Sequence, residues 1–418
     1  MAETNARQTP NKHSLFIDFL SQVSYNRIIL NRHDFERKRI PMITIHKQLN
    51  LSHTYPLERI GPLKDLLFFD IETTGFSGDY ANLYLIGCTY WENGSWNLIQ
   101  WFADTRESEP ELLDSFFAFL ENYKILIHFN GDGFDIPFLL KRCKKHKMSY
   151  DFSAVQSIDI YKKIKPCRKL LGLDSLKQKA IEQFLGISRK DRYSGGELIE
   201  VYQQYLSTGD QGLYELLILH NEDDLKGMPA ILPILSYPDL LEHPLRLSSQ
   251  QILIETYADG SFRHLLELVC ETDYPVPVPF SHSTELVTCR IKNNSVTFLV
   301  TLYDGVLKHF YPNYKDYYYL IHQDRAVHKS IGELIEKDAR VKATARTCYI
   351  PCEGCFVPQF EPIWEPALKE DFKDKLSYAA VRDVCLKDPQ CFQAYTSQLF
   401  RHLQTTVQPC EDSDKKTH

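Results

Sequence analysis

From residue 65 onward, apolar and polar positions fall into short blocks whose period changes in a regular order. "LLFFDIETTGF" (66–76) is an apolar run that ends in acids and a turn, the pattern of a buried central strand. "LYLIGCTYWENGSWNLIQWF" (83–102) places two apolar-aromatic runs around an Asn-Gly hairpin signal, which predicts an antiparallel meander for strands one to three. "SEPELLDSFFAFLENY" then reads as a helix, "KILIHFN" as a strand, "FDIPFLLKRCKKHK" as a helix and "SIDIYKKI" as a further strand. "LGLDSLKQKAIEQFLG" and the long stretch from Ser194 continue as helices to about residue 237, where Pro229 and Pro233 kink or end the last of them. Three antiparallel strands followed by alternating helices and strands predict an α/β layer fold, a mixed sheet flanked by helices.

The pattern is weaker on both sides of this block. Residues 1–64 read as a leader and packed extension, and 238–282 as a helical linker. Residues 283–408 read as an α+β C-terminal domain, β-rich first and helical over 365–405, and 409–418 as a disordered tail.

Composition adds limits. A chain of 418 residues, 43% hydrophobic and 25% charged, buries real cores and has the length of two or three domains. No stretch reaches the roughly 18 apolar residues of a spanning helix and the first residues lack an apolar targeting core, so a cytoplasmic protein without a membrane partner is expected. The eleven cysteines are scattered, which argues against a disulfide framework. Their one cluster, Cys348, Cys352 and Cys355, offers a single CxxC where a structural zinc site normally has two ligand pairs; incidental loop cysteines are the favoured reading.

The net charge of −7 argues against a polyanion partner until its distribution is read. Between Asp135 and Arg192 there are fifteen Lys and Arg against six acids, an excess of 9 positive charges. Such asymmetry marks a polyanion-binding face, here the segment 141–192, although single lysines in it are equally expected as solvated helix surface.

Three pieces carry candidate chemistry. Asp70 and Glu72 alternate with Ile71 on a strand and so leave the same face. Asp135, in "HFNGDGFDIPFLL", precedes an apolar helix; by itself it reads as an N-cap with Pro137 near the first helical position, while Asp132 between two glycines reads as solvated. The third is "HNEDDL" (220–225). At roughly 100° per residue from His220, Asp224 falls at about 40°, inside a stripe of Leu213, Leu216, Leu217, Met228 and Ile231, whereas Asp223 falls on the flank at about −60° and Glu222 toward solvent at about 200°. A buried carboxylate in that stripe requires a cationic partner or a proton, and a metal ion is one such partner.

D-x-E ending a strand, N-x4-F-D before a helix and H-x3-D on a later helix occur here in that order, with "LGI", "YSGGE" and "Y-x2-Y-L" between the second and third. Over residues 65–237 this resembles the DnaQ-like DEDD 3′-to-5′ exonucleases with a ribonuclease H-like fold, most closely their YprB-like branch. The resemblance implies two divalent ions, Mg²⁺ or Mn²⁺. Asp70, Glu72 and Asp224 would hold the ion that activates water, Asp70 would bridge to the second, and Asp135 would act mainly through a bound water. It departs from both familiar patterns at His220, which stands four residues before Asp224, the spacing at which one branch has tyrosine; the other has histidine at five. His220 is therefore expected either to orient water or only to share the face. The expected activity is a metal-dependent nuclease, a 3′-5′ exonuclease on single-stranded DNA or RNA ends. Phe76, Phe129, Phe134 and Phe138 are candidates to stack on terminal bases, with core packing favoured for Phe138. The alternative is a non-catalytic nucleic-acid-binding or scaffolding protein with the same fold.

Overall fold

The computed structural model describes residues 42–51, 54–187 and 195–405. The leader, the "YSGGE" start, Arg189, Lys190 and Arg192 of the basic segment, and the tail lie outside the described residues. The described residues fall in one compact unit.

Its centre is a six-stranded mixed sheet. In chain order the elements are β1 (Met42–Leu49), β2 (Leu66–Thr73), β3 (Leu83–Glu92), β4 (Ser95–Ala103), α1 (Glu109–Leu120), β5 (Ile125–His128), α2 (Asp135–Lys145) and β6 (Gln156–Asp159). The strand order is β1-β4-β3-β2-β5-β6. β2, β3 and β4 form the expected meander, its tight turn made by Asn93 and Gly94 at φ 51° and 77°, while β5 and β6 join parallel to β2. One strand comes from the region read as an extension, because β1 pairs antiparallel with β4 over its whole length. Its alternation of half-buried and exposed positions fits an edge strand.

The alternation along β2 sorts the two faces. Leu67, Phe69 and Ile71 enter a core with α1 and α2, and Leu66 and Phe68 enter a second core on the opposite side. Asp70 and Glu72 share the parity of Leu66 and Phe68, so they emerge on that second face.

The chain continues through α3 (Ile160–Ile164), α4 (Gln178–Phe184), α5 (Gly195–Thr208), α6 (Gln211–Ile231) and α7 (Ser236–Glu242). The strand read over 157–164 stops at Asp159, whose carboxylate accepts from the Lys162 amide and caps α3. α6 begins at the cap Asp210, carries Pro229 in its last turn and gives way to a tighter helical turn, Leu232–Leu235, at the next proline. α6 lies across β2 and β3 and places Leu225, Met228 and Ile231 in the second core.

The helical-linker reading of 238–282 is corrected by the structure. After Glu242 the chain forms β7 (Arg246–Thr256), β8 (Phe262–Ser283) and β9 (Val287–Thr301), an antiparallel sheet in the order β7-β8-β9. "YPVPVPF" explains the error: prolines at alternate positions exclude a helix and are tolerated where a strand is irregular, and the register shifts there. The remainder comprises β10 (Tyr303–Phe310), β11 (Tyr317–Leu320), β12 (Arg325–His328), α8 (Lys329–Gly332), β13 (Arg340–Lys342), β14 (Tyr349–Gln359), β15 (Ser377–Ala380) and α9 (Pro389–Thr405). The helix read from 365 thus starts only at Pro389. One continuous apolar core holds Phe68 and Met228 together with Phe298, Leu399 and Phe400, and the Tyr237 hydroxyl donates to the Val278 carbonyl at 2.7 Å. No helix among the described residues is long and apolar enough to cross a membrane.

Candidate active site

The strand β2, the start of α2 and the middle of α6 bring the four acids to one place. Asp70 lies beside Glu72, Asp224 and Asp135, and burial followed by these three like charges, Glu72 foremost, holds its carboxyl well above the usual carboxylate range. Asp135 is buried at the first position of α2, one residue past the N-cap Phe134, so the N-cap reading does not hold. Burial pushes its carboxyl up to about 7, against the pull of its own backbone amide and that of Ile71. On α6, His220 Nε2 stands 3.3 Å from Asp224 Oδ2 and 3.8 Å from Glu72 Oε1, and the three side chains can converge on one ion. His220 and Asp224 share one side of α6, as the helical wheel has them, but the buried face centres on Asn221 and Leu225 and leaves Leu213, Leu216 and Asp224 half-buried.

Three supports escaped sequence reasoning. Asn221 is fully buried; its Nδ2 donates to Asp70 Oδ2 at 2.9 Å and its Oδ1 accepts from Gln100 Nε2 at 2.9 Å, which fixes the amide's orientation. The signal was present, since Asn221 stands one turn before the buried Leu225. Gly87, opposite Asp70 in the sheet, admits this contact: a Cβ there would lie 2.0 Å from Asn221 Oδ1. Asp159 accepts from the Asn130 and Asp132 amides at 2.9 and 3.3 Å, holding the loop that delivers Asp135. In the same loop His128 Nδ1 accepts from the Gly131 amide at 3.0 Å, and Asp132 accepts from Ser157 Oγ and Lys162 Nζ at 2.6 and 2.7 Å; Asp132 is thus engaged rather than simply solvated.

Glu222 also departs from expectation. It is 4% exposed and bound by Lys47 Nζ at 2.7 Å and by Lys226. The wheel treated that face as solvent, but Lys47 of β1 reaches it, and β1 was hidden in the extension.

The basic segment is not one face. Arg142 is 1% exposed and committed to Glu109, with its Nε 2.6 Å from Glu109 Oε1. Lys141 pairs with Asp79, and Arg168 donates to the carbonyls of Leu173 and Asp174. Exposed Lys144, Lys145, Lys163, Lys165 and Lys177 remain as surface charge. Of the aromatics, Phe138 is in the core, Phe129 and Phe134 are half-buried, and Phe76 is 90% exposed with its ring edge-on to Phe134 at 6.3 Å. The cysteine trio does not assemble among the described residues: Cys348 is buried beside Ala326 and Ala343, and Cys352 and Cys355 leave opposite faces of β14.

Similarity to known proteins follows the same block of sequence. DNA polymerases of Thermococcus aggregans and Pyrococcus glycovorans are each 32% identical over 99 residues, 22% of this chain, and the match spans 5% and 13% of their lengths. Among solved structures, the family B DNA polymerase of Pyrobaculum calidifontis superposes with a TM-score of 0.34 at 11% identity, covering 66% of this chain and 39% of that one. E. coli exonuclease I in its complex with single-stranded DNA gives 0.25 at 12% identity, covering 49% and 54%. The chain therefore spans less than two thirds of each of these relatives. The family model described as RNase H superfamily matches residues 67–235, β2 through the last turn before α7, and the six-stranded mixed sheet flanked by helices is consistent with that superfamily's fold.

Proposed function

We propose that the protein is a metal-dependent nuclease, a 3′-5′ exonuclease on single-stranded DNA or RNA. The observation that carries this reading is the convergence of Asp70, Glu72, Asp135 and Asp224 from a strand, a helix start and a second helix, with Asp70 shifted by its carboxylate neighbours. The donor set fits hard dications: every acid offers oxygen, and Mg²⁺ or Mn²⁺ prefers oxygen ligands. Asp70, Glu72, Asp135 and Asp224 would hold two such ions, which in this chemistry supply an activated water and stabilise the leaving oxygen.

The rest is done by the chain's own groups. Asn221 turns Asp70 toward the cleft, and the Asp159-held loop fixes the start of α2. His220 Nε2, at 3.3 Å from Asp224, is placed to orient the attacking water or take its proton. Phe76 and Phe134 offer ring faces to a terminal base, and the exposed lysines of α2 and the segment after β6 attract the phosphate backbone. The likeness over 99 residues to DNA polymerases agrees with a nucleic-acid substrate.

The test is cleavage of 3′-labelled and 5′-labelled oligonucleotides, single-stranded and duplex, DNA and RNA, in Mg²⁺ or Mn²⁺. Stepwise shortening from the 3′ end is expected, lost in Asp70→Ala by about 10³-fold, the rate equivalent of ~4 kcal/mol of transition-state stabilisation. Equal cleavage by the variant removes the assignment, and binding without cleavage by the wild type leaves the scaffolding reading. A His220→Ala enzyme at full rate across about pH 6 to 9 removes His220 from the chemistry.

A further inference from the structure

Away from the carboxylate cleft, three strands of two sheets bring a different donor set together. His264 projects from β8, Asp304 from β10 and Cys355 from β14. Asp304 and Cys355 are direct partners in the antiparallel register of β10 and β14. His264 reaches them from the neighbouring sheet, where its carbonyl accepts from the Leu302 amide at 2.9 Å. His264 Nδ1 lies 2.8 Å from Asp304 Oδ2, and the Cys355 thiol donates to the same carboxylate. The imidazole nitrogen, carboxylate oxygen and sulfur all lie within 4.8 Å of one another.

We propose that this cluster is a binding site for a borderline-soft dication, Zn²⁺ in first place. One nitrogen, one oxygen and one thiolate make a set that Mg²⁺ and Ca²⁺ disfavour and tetrahedral Zn²⁺ accepts. On binding, the thiol proton leaves to solvent and Cys355 coordinates as thiolate; His264 coordinates through Nδ1 with its proton on Nε2. Asp304, itself exposed, gives up both hydrogen bonds for the ion. Three protein ligands leave a fourth position, and the exposed side of Asp304 opens it to water. A hydrolytic cysteine triad is a poor alternative: the carboxylate, not the histidine, contacts the thiol, and burial together with Asp304 pushes that thiol up to about 12. The ion would staple β8 to the β10-β14 pair.

The cysteine trio of the sequence thus contributes one ligand rather than three. Cys352 faces away, toward Leu307 and Phe356, and the two missing ligands come from positions 51 and 91 residues earlier in the chain, where no local spacing announces them.

The experiment uses the full chain freed of metal, with Co²⁺ as the optical probe. A thiolate-to-cobalt charge-transfer band is expected in the near ultraviolet, abolished by equimolar Zn²⁺, retained in Asp70→Asn and lost in Cys355→Ser. In the Asp70→Asn background Zn²⁺ is also expected to raise Tm, and to raise it less once Cys355→Ser is added. Absence of the band in the wild type overturns the proposal. So does its survival in Cys355→Ser. Should Cys355→Ser fail to fold, His264→Gln at its half-exposed position carries the test: Co²⁺ affinity is expected to fall at least tenfold, and unchanged affinity overturns the site.

Discussion

Two carboxylates a few strands apart, Glu109 buried and Asp70 half-buried among other acids, show opposite solutions to the same problem. Glu109, at the start of α1, is surrounded by donors: the Arg142 guanidinium, His146 Nε2 at 2.8 Å and the Leu83 amide at 2.7 Å. Burial alone would raise its carboxyl, but these bonds outweigh burial and hold it below the usual range. Asp70 is surrounded by carboxylates, accepts from the Asn221 amide, and is held well above that range. The first arrangement is complete without a ligand, since Arg142 also ties the Gly78 carbonyl and Asn82 and so closes the loop after β2. The second becomes favourable when dications arrive. A buried acid is thus read as structural or functional by the sign of its neighbours.

The largest effect is expected at the structural acid. Glu109→Ala leaves Arg142 buried without its partner and should cost ~3–5 kcal/mol of unfolding free energy, measured by urea denaturation. Next comes Asn221→Ala, expected to lower metal affinity or nuclease rate about 10- to 100-fold with stability changed far less than by Glu109→Ala. A loss confined to stability would return Asn221 to the core.

Asp70→Asn tests the sign directly. Without divalent ions it should raise Tm by about 3 °C, the shift that ~1 kcal/mol gives in a domain of this size, whereas Mn²⁺ should stabilise the wild type and leave the variant unmoved. A variant less stable than the metal-free wild type would break the comparison.

The two acids also predict opposite pH dependences. Glu109, with its lowered folded pKa, stabilises the fold above the unfolded value near about 4.3, and this contribution disappears as pH falls through the folded pKa. Asp70 and Asp135 are raised, Asp135 to about 7, so their contribution is complete below about 3.9 and is lost as pH rises through the folded values. Metal-free wild type should therefore lose Tm between about pH 5.5 and 8, and Asp70→Asn should lose less over the same scan.

What the sequence made legible was what has a period. The β2–β4 meander, the α2 start and the shared side of His220 and Asp224 followed from alternation and from a wheel of about 100° per residue. What it concealed depends on chain segments far apart. Glu222 is buried because Lys47 of an unrecognised edge strand covers it, and Asn221 orients Asp70 only because Gly87 lets α6 approach the sheet. Arg142 looked like part of a basic face and is an internal strut. β7 and β8 were misread for a related reason: β7 is largely polar and exposed and β8 carries prolines at alternate positions, so neither shows a clean alternation.

The continuous apolar core that runs from Phe68 through Met228 to Phe298 and Leu399 bears on how the molecule comes apart. A chain cut after 237 would leave that core open along α7 and strip Tyr237 of its partner at Val278. Heat should consequently melt the cleft and the C-terminal sheets in a single calorimetric transition, with the last strands acting as part of the scaffold that keeps α6 in register over β2.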